Sequence, residues 1–380
     1  MIHITFDDKV KIGLQYILET LHGCSPFGIE RIRRLKFYAP EERAALEEEL
    51  YNVEGLVRHA EELKTAMDKT VILLCQMKDI RNSFRRCAAG EIPDHVELFE
   101  MKGFLRRLEG ILPLFEEMNE KVAFRGLSFH APKEALAVLD PDGTGSRGFY
   151  IPDSATPKLR EIRAAKKKVE EKLFHAATDA EKDELRIERT RICAEEDSEE
   201  TKVRAMMGAA LAPMVEDILA DAENVGRLDF MIQKALFAVR YGGVRPEITD
   251  GALELVDMVN PEIVDLLSEQ RRTFVPVSIS LDRGATVITG ANMGGKSVAL
   301  KTIALNILLV HYGFFPFAAS ASVPLFQGLH IISEDLESVD QGLSSFGGEM
   351  VRFNTMAQQL EQGFHFVLLD EFARGTNPQE

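Results

Sequence analysis

The chain has 380 residues, 45% of them hydrophobic and 28% charged, which suits a folded protein of two or three domains with a sizeable core. Its 61 Asp and Glu outnumber its 45 Lys and Arg, so the formal net charge is −16 and the chain as a whole repels a polyanion at long range; any nucleic-acid contact calls for a local basic patch. No apolar run reaches the ~18 residues of a membrane span. The first residues lack the basic start and apolar stretch of a secretory signal. Cys24, Cys75, Cys87 and Cys193 form no Cys-x-x-Cys pair, so the expectation is a cytoplasmic protein with reduced thiols and no membrane partner.

Residues 1–270 read as almost entirely helical. Apolar side chains recur at helical spacing at Leu46, Leu50, Val53 and Val57, then at Leu105, Leu108, Leu112 and Phe115, and again at Met207, Leu211, Met214 and Ile218. These stripes mark faces that pack against other helices. Two turn-rich segments, Asp140 to Gly148 and Tyr241 to Pro246, interrupt the pattern. Between them, Pro157 to about Asp197 is dense in charges of both signs and poor in large apolar residues, which predicts solvated helices projecting from the body as an antiparallel pair, about 157–207.

From about Arg272 the pattern changes. Val275 to Leu281 alternates like a strand, Ala285 to Thr289 is a short β-branched run, and Phe366 to Leu369 is a continuous apolar run suited to a buried parallel strand. Helical stretches separate them, so residues 271–380 read as an α/β domain following a helical one.

Gly290-Ala291-Asn292-Met293-Gly294-Gly295-Lys296-Ser297 satisfies G-x-x-x-x-G-K-[ST], placed after the Ala285 to Thr289 run and before a helix from Lys296 to about His311. Such a loop turns successive backbone N–H groups toward one phosphate, and the helix N-terminus adds its positive end. Lys296 reaches the β and γ phosphates in this arrangement, and the Ser297 hydroxyl suits Mg²⁺, a hard ion that takes oxygen ligands. The run His365 to Leu369 ends in Asp370 and Glu371. If that strand lies beside the one leading into the phosphate loop, Asp370 holds the metal ion through water and Glu371 serves as general base toward an attacking water. Gly342 to Glu349, with Ser344 and Ser345, opens a further helix to about Gln362, and a small, hydroxyl-rich segment at a helix N-terminus suits an anion.

Together these segments resemble the MutS family of ATPases. Thr289 to Ser297 differs from that family's phosphate loop only where Ala291 stands for the usual proline. Leu369-Asp-Glu-Phe-Ala-Arg-Gly-Thr-Asn-Pro378 resembles its Walker B strand and the loop that follows, and Leu343 to Met350 resembles its signature segment. The resemblance implies that Ser344 contacts the γ-phosphate held by a second subunit, hence a homodimer or a heterodimer with a related chain, and that Phe274 stacks on adenine. Upstream, Cys24 to Arg34, Tyr51 to Leu56, Asp79-Ile-Arg-Asn and Leu228-Asp-Phe resemble the family's helical core and lever domain.

The implied architecture is α + α/β: a helical core with lever helices over 1–270, then over 271–380 the first part of a P-loop (ABC-type) ATPase domain cut short at its C-terminus, with ATP and Mg²⁺ as ligands. The family's mismatch reader lies N-terminal to the core and its DNA clamp is a β-rich insertion between the lever helices; neither pattern is found here. Two functions stay open on this reading. One is a DNA-associated ATPase of the mismatch-repair or branched-DNA type, in which ATP-driven dimer closure moves the levers. The other is a related ATPase acting on a protein client, such as a reactivating factor for a cobalamin-dependent amino mutase.

Overall fold

The computed structural model describes residues 6–143, 150–291, 295–332, 345–360 and 363–370. The helical part begins with α1 (Phe6–Lys11), α2 (Leu14–Thr20), α3 (Pro26–Arg33), α4 (Arg43–Arg58), α5 (Lys64–Leu74), α6 (Arg81–Ala88), α7 (His95–Val122) and α8 (Lys133–Leu139). It continues with α9 (Pro157–His175), α10 (Asp179–Leu211) and α11 (Val215–Tyr241). Local chemistry fixes several starts. The Ser25 hydroxyl accepts from the Gly28 N–H at 2.9 Å with Pro26 in the first turn, and Asp94 and Glu97 form a reciprocal capping box. Thr156 and Thr178 cap α9 and α10 in the same way, and Gly242 ends α11 at φ 68°, a conformation glycine adopts at no steric cost.

The core of this part packs α11 against α3 and α4, and α7 against α5. Leu46, Leu50, Val53, Leu105, Leu108 and Phe115 are buried as their spacing predicts, whereas Leu112 is only half-buried and Ile111 takes its place. At the α3–α11 contact Asp229, fully buried, accepts from the Ser25 N–H and hydroxyl, each at 2.7 Å, and from the Cys24 N–H at 3.1 Å. α9 and α10 pack against each other as an antiparallel arm. It has only a thin apolar seam of Ile162, Val169 and Ile192 with Leu185, so ion pairs carry the contact: Arg163 to Glu196 and Glu200, Lys166 to Glu196, and Arg189 to Glu170. A 3-10 turn at Ala212–Met214 joins α10 directly to α11, so the arm continues into the body.

The α/β part holds β1 (Glu247–Thr249), β2 (Leu253–Met258), α12 (Pro261–Glu269), β3 (Val277–Leu281), α13 (Lys296–His311), β4 (Ser320–Pro324), β5 (Gly328–Ile332), α14 (Ser345–Gln359) and β6 (His365–Leu369). One sheet has the order β1-β4-β2-β3, with β1 parallel to β4 and β2 antiparallel to both β4 and β3; β5 and β6 form a separate parallel pair.

Three sequence expectations change. Residues 247–258 are strands, not helix, because β2 finds hydrogen-bonding partners on β3 and β4 that lie far along the chain, so the sheet draws on both sides of residue 270. Ala285 to Thr289 forms no strand, and β6 runs beside β5 instead of beside that run. The reason is common to both: a cleft separates Ala285–Ile288 from β6, and an extended segment without a ladder partner is not a strand. Among the described residues no helix is long and apolar enough to cross a membrane.

Candidate nucleotide site

The site is built at the N-terminal end of α13. Gly295 occupies the N-cap at φ 82°, the left-handed region, which lets the chain turn sharply from the loop into the helix. Among the described residues no side chain caps this end, so the first N–H groups of α13 remain directed out of the helix, the arrangement that favours an anion. Lys296 folds over the loop, its ammonium donating to the carbonyls of Gly290 at 2.7 Å and Ala291 at 2.9 Å. A positive charge and a positive helix end therefore coincide.

Ser297, one turn-step further, brings its hydroxyl to 3.4 Å from Asp370 Oδ1, although 73 residues separate the two. Asp370 stands at the end of β6 and its own N–H donates to the Ile332 carbonyl at 2.9 Å, which extends the β5–β6 pairing by one residue. Oxygen ligands at adjacent corners of a Mg²⁺ octahedron, each at ~2.1 Å, lie roughly 3 Å apart, so the Ser297 and Asp370 oxygens fit such an ion with little movement. Among the described residues no group of three or more His, Cys, Asp or Glu is arranged to hold a metal ion. A Mg²⁺ that takes one or two protein oxygens and completes its shell with water and phosphate needs no such cage.

Lys296 and Asp370 stand on the wall of a cleft of about 690 Å³. Its sides are Ala285 to Ile288 on one hand and Phe364 to Leu369 on the other, and its floor is apolar, with Leu281, Leu300, Ile303 and Phe326. Two residues not anticipated from the sequence line it as well. Arg283 lies over the Phe364 ring at 4.7 Å, and His365 pairs with His330 across β5 and β6 at 3.1 Å between ring nitrogens. No spacing signal in the chain announces either contact, since each joins residues brought together only by the strands.

The remaining sequence candidates divide in two. Gly290, Ala291, Gly295, Lys296, Ser297 and Asp370 come together as described. Asn292, Met293, Gly294, Ser344 and Glu371 lie outside the described residues. Phe274 is half-buried in the link from α12 to β3 and is not part of the cleft lining, so the structure does not bring it to Lys296.

Residues 286–380 match the family model of MutS domain V. Curated relatives include Endonuclease MutS2 of Listeria innocua serovar 6a, 29% identical over 199 residues that make up 52% of this chain and 25% of the relative. Endonuclease MutS2 of Thermomicrobium roseum is 33% identical over 196 residues, 49% of this chain and 25% of the relative, and that of Latilactobacillus sakei subsp. sakei is 32% identical over 188 residues, 49% and 23%. The matched region thus spans about a quarter of the length of these relatives. Residues 286–380, which hold α13 and the Ser297–Asp370 pair, are thus similar to MutS domain V, and about half of the chain is similar to part of these relatives.

Proposed function

We propose that this chain binds ATP at the loop Gly290 to Ser297 and works as a MutS-type, DNA-associated ATPase. The observation that carries the reading is the convergence of Lys296, the uncapped N-terminus of α13 and the Ser297–Asp370 pair at one point. The backbone N–H groups of the loop and the start of α13 bind the phosphates, and Lys296 shifts from the Gly290 and Ala291 carbonyls to the β and γ phosphate oxygens. Ser297 and Asp370 hold Mg²⁺, which when bound offsets charge on the transferred phosphoryl group. Glu371 follows Asp370 directly and acts as general base, orienting water for in-line attack on the γ-phosphorus. Ser344 serves the nucleotide of a second subunit, so turnover requires a dimer, either of identical or of related chains. Closure of that dimer on ATP moves α11 and, through the 3-10 turn, the α9–α10 arm.

The DNA reading rests on the relatives' name, Endonuclease MutS2, and on the arm. α9 exposes Lys158, Arg160, Lys167, Lys168 and Lys172, a strip of basic side chains interspersed with the exposed Glu161 and Glu171 on a chain of net charge −16, and it leads to Phe174, 85% exposed at the tip. A strip of this kind neutralises phosphates whatever the sequence, and an exposed ring stacks on unpaired bases. The acidic balance favours a second reading, in which the arm engages a protein client instead.

Fluorescence anisotropy with homoduplex, mismatched and four-way-junction DNA, with and without ATP and over a salt series, tests the proposal. Nucleotide-dependent binding at ~0.15 M salt, weakened in Lys167→Ala/Lys168→Ala/Lys172→Ala and losing about three units of its log–log salt slope, supports DNA as the substrate. Intact ATP binding without structure-selective DNA binding favours the protein client. Survival of ATP affinity in Lys296→Ala removes the phosphate-loop assignment itself.

A further inference from the structure

α13 is held mainly at the end remote from the phosphates. Thr302 to His311 are all fully buried, whereas Lys296 to Lys301 are only half-buried and Ser297 reaches Asp370 at 3.4 Å. Midway, Asn306 pins the helix to its surroundings, donating to the Val259 carbonyl at 3.1 Å and accepting from the Phe317 N–H at 2.7 Å. The C-terminal end sits in a socket made by the helical domain. There the last carbonyls, which a helix leaves without internal partners, are all taken. Those of Leu308, Leu309 and Val310 accept from Tyr312, Phe314 and Gly313; that of His311 accepts from the Tyr38 N–H at 2.8 Å; that of Tyr312 accepts from Lys234 Nζ at 3.1 Å.

Lys234 is the unusual member. It is 2% exposed on α11, pairs with Glu49 of α4 at 2.7 Å, and lies over the rings of Phe230 at 4.2 Å and Phe314 at 4.9 Å. The chain makes room for it: Gly313 has φ 71°, and a Cβ there would stand 3.2 Å from the ammonium and 3.0 Å from Glu49 Cγ. A buried ammonium is costly, so its retention at this place calls for a role beyond packing. Two physical consequences follow from its position. A cation at the C-terminus of α13 reinforces the same helix dipole whose positive end faces the phosphate loop. And because α13 is a rod of about 24 Å, a shift or rotation at the socket is carried to Gly295, Lys296 and Ser297.

We propose that Lys234 is a positioning residue for the nucleotide site: by locking the end of α13 to α4 and α11 it sets where Lys296 and Ser297 stand relative to Asp370. This rests on the nucleotide-binding reading above. It also makes Lys234 the side chain through which the helix continuing the arm grips the helix that holds the phosphates.

The test compares the parent with Lys234→Met, with Lys234→Met/Glu49→Gln, and with Lys234→Leu/Glu49→Leu, measuring thermal unfolding and, well below the midpoint, Mg²⁺-dependent binding of mant-ATP. Lys234→Met leaves Glu49 as an orphaned charge and lowers both stability and affinity. The two double variants leave no orphaned charge and recover most of the stability, yet neither has the ammonium that joins α11 to the Tyr312 carbonyl, and Lys234→Leu/Glu49→Leu has no side-chain donor there at all. Their affinity is expected to stay about tenfold or more below the parent's, since small misplacements of binding groups carry large penalties. A double variant that is stable and binds mant-ATP within about twofold of the parent overturns the role of Lys234, leaving the nucleotide reading intact. A parent that binds mant-ATP no better than Lys296→Ala instead overturns the nucleotide reading, and the positioning role with it.

Discussion

Acidification should loosen the same socket through His311. This imidazole is fully buried, stacked on Phe37 at 4.3 Å between ring centroids, and its Nδ1 lies 2.8 Å from the Tyr38 carbonyl while Nε2 accepts from the Phe326 N–H at 3.3 Å. That pattern fixes the neutral ring with its proton on Nδ1. Burial pushes its pKa down to about 4, only partly opposed by the bond to Tyr38, while an unfolded histidine titrates near 6.5. Between those values the unfolded chain binds one more proton than the folded one, so this contribution to stability is present above about pH 6.5 and is lost as the pH falls toward 4. Integrating the one-proton difference from about pH 7.5 to about pH 5 gives a loss of roughly 2 kcal/mol from this group alone. Urea unfolding of the parent and of His311→Asn across that range isolates it, since every other titrating group is common to both. Asparagine keeps a donor near the Nδ1 position but has no proton to gain. The variant should start less stable, for want of the ring, and should lose about 2 kcal/mol less on acidification. Equal pH dependence in the two proteins, or the His311 imidazole of the folded parent titrating near 6.5 by NMR, would refute the reasoning.

Other perturbations bear on the core and the site. Gly28→Ala places a Cβ 2.1 Å from Asp229 Oδ2, so the carboxylate that satisfies Ser25 and Cys24 must move; a loss of about 3 kcal/mol or more in chemical unfolding is expected, and a loss below about 1 kcal/mol would show that the α3–α11 contact yields easily. Asp370→Asn should weaken mant-ATP binding about tenfold in the presence of Mg²⁺ and much less in its absence; equal effects under the two conditions would separate Asp370 from the metal ion. Glu371→Gln should retain nucleotide binding and slow phosphate release by about a hundredfold, and unchanged turnover would remove Glu371 as the base.

Much of the site was legible because its signals are local. A glycine-rich loop followed by Lys296 and Ser297 needs only its own backbone to turn and begin a helix, and α13 starts and stops where the pattern placed it. The arm was equally legible, because a charged stretch with a sparse apolar seam forms an antiparallel pair between two threonine caps. Strand membership was not. Leu253 to Met258 takes its pairing from segments about 25 and 65 residues away, whereas Ala285 to Thr289, with the more β-prone composition, finds no strand partner among the described residues. Composition sets the tendency to extend, and only the tertiary neighbours decide whether a ladder forms.

The sequence by itself thus determined the start of α13, many of the other helices and several of their caps, each of which depends on residues within a few positions of one another. Only the tertiary structure decided that the Ser297 hydroxyl meets Asp370, that Asp229 accepts from the start of a distant helix, and that Lys234, whose charge favours solvent, is buried beside Glu49 at the end of α13. The physical reason is that a polar side chain enters a core only where long-range folding supplies its partner, and no spacing along a single helix can say where that partner is.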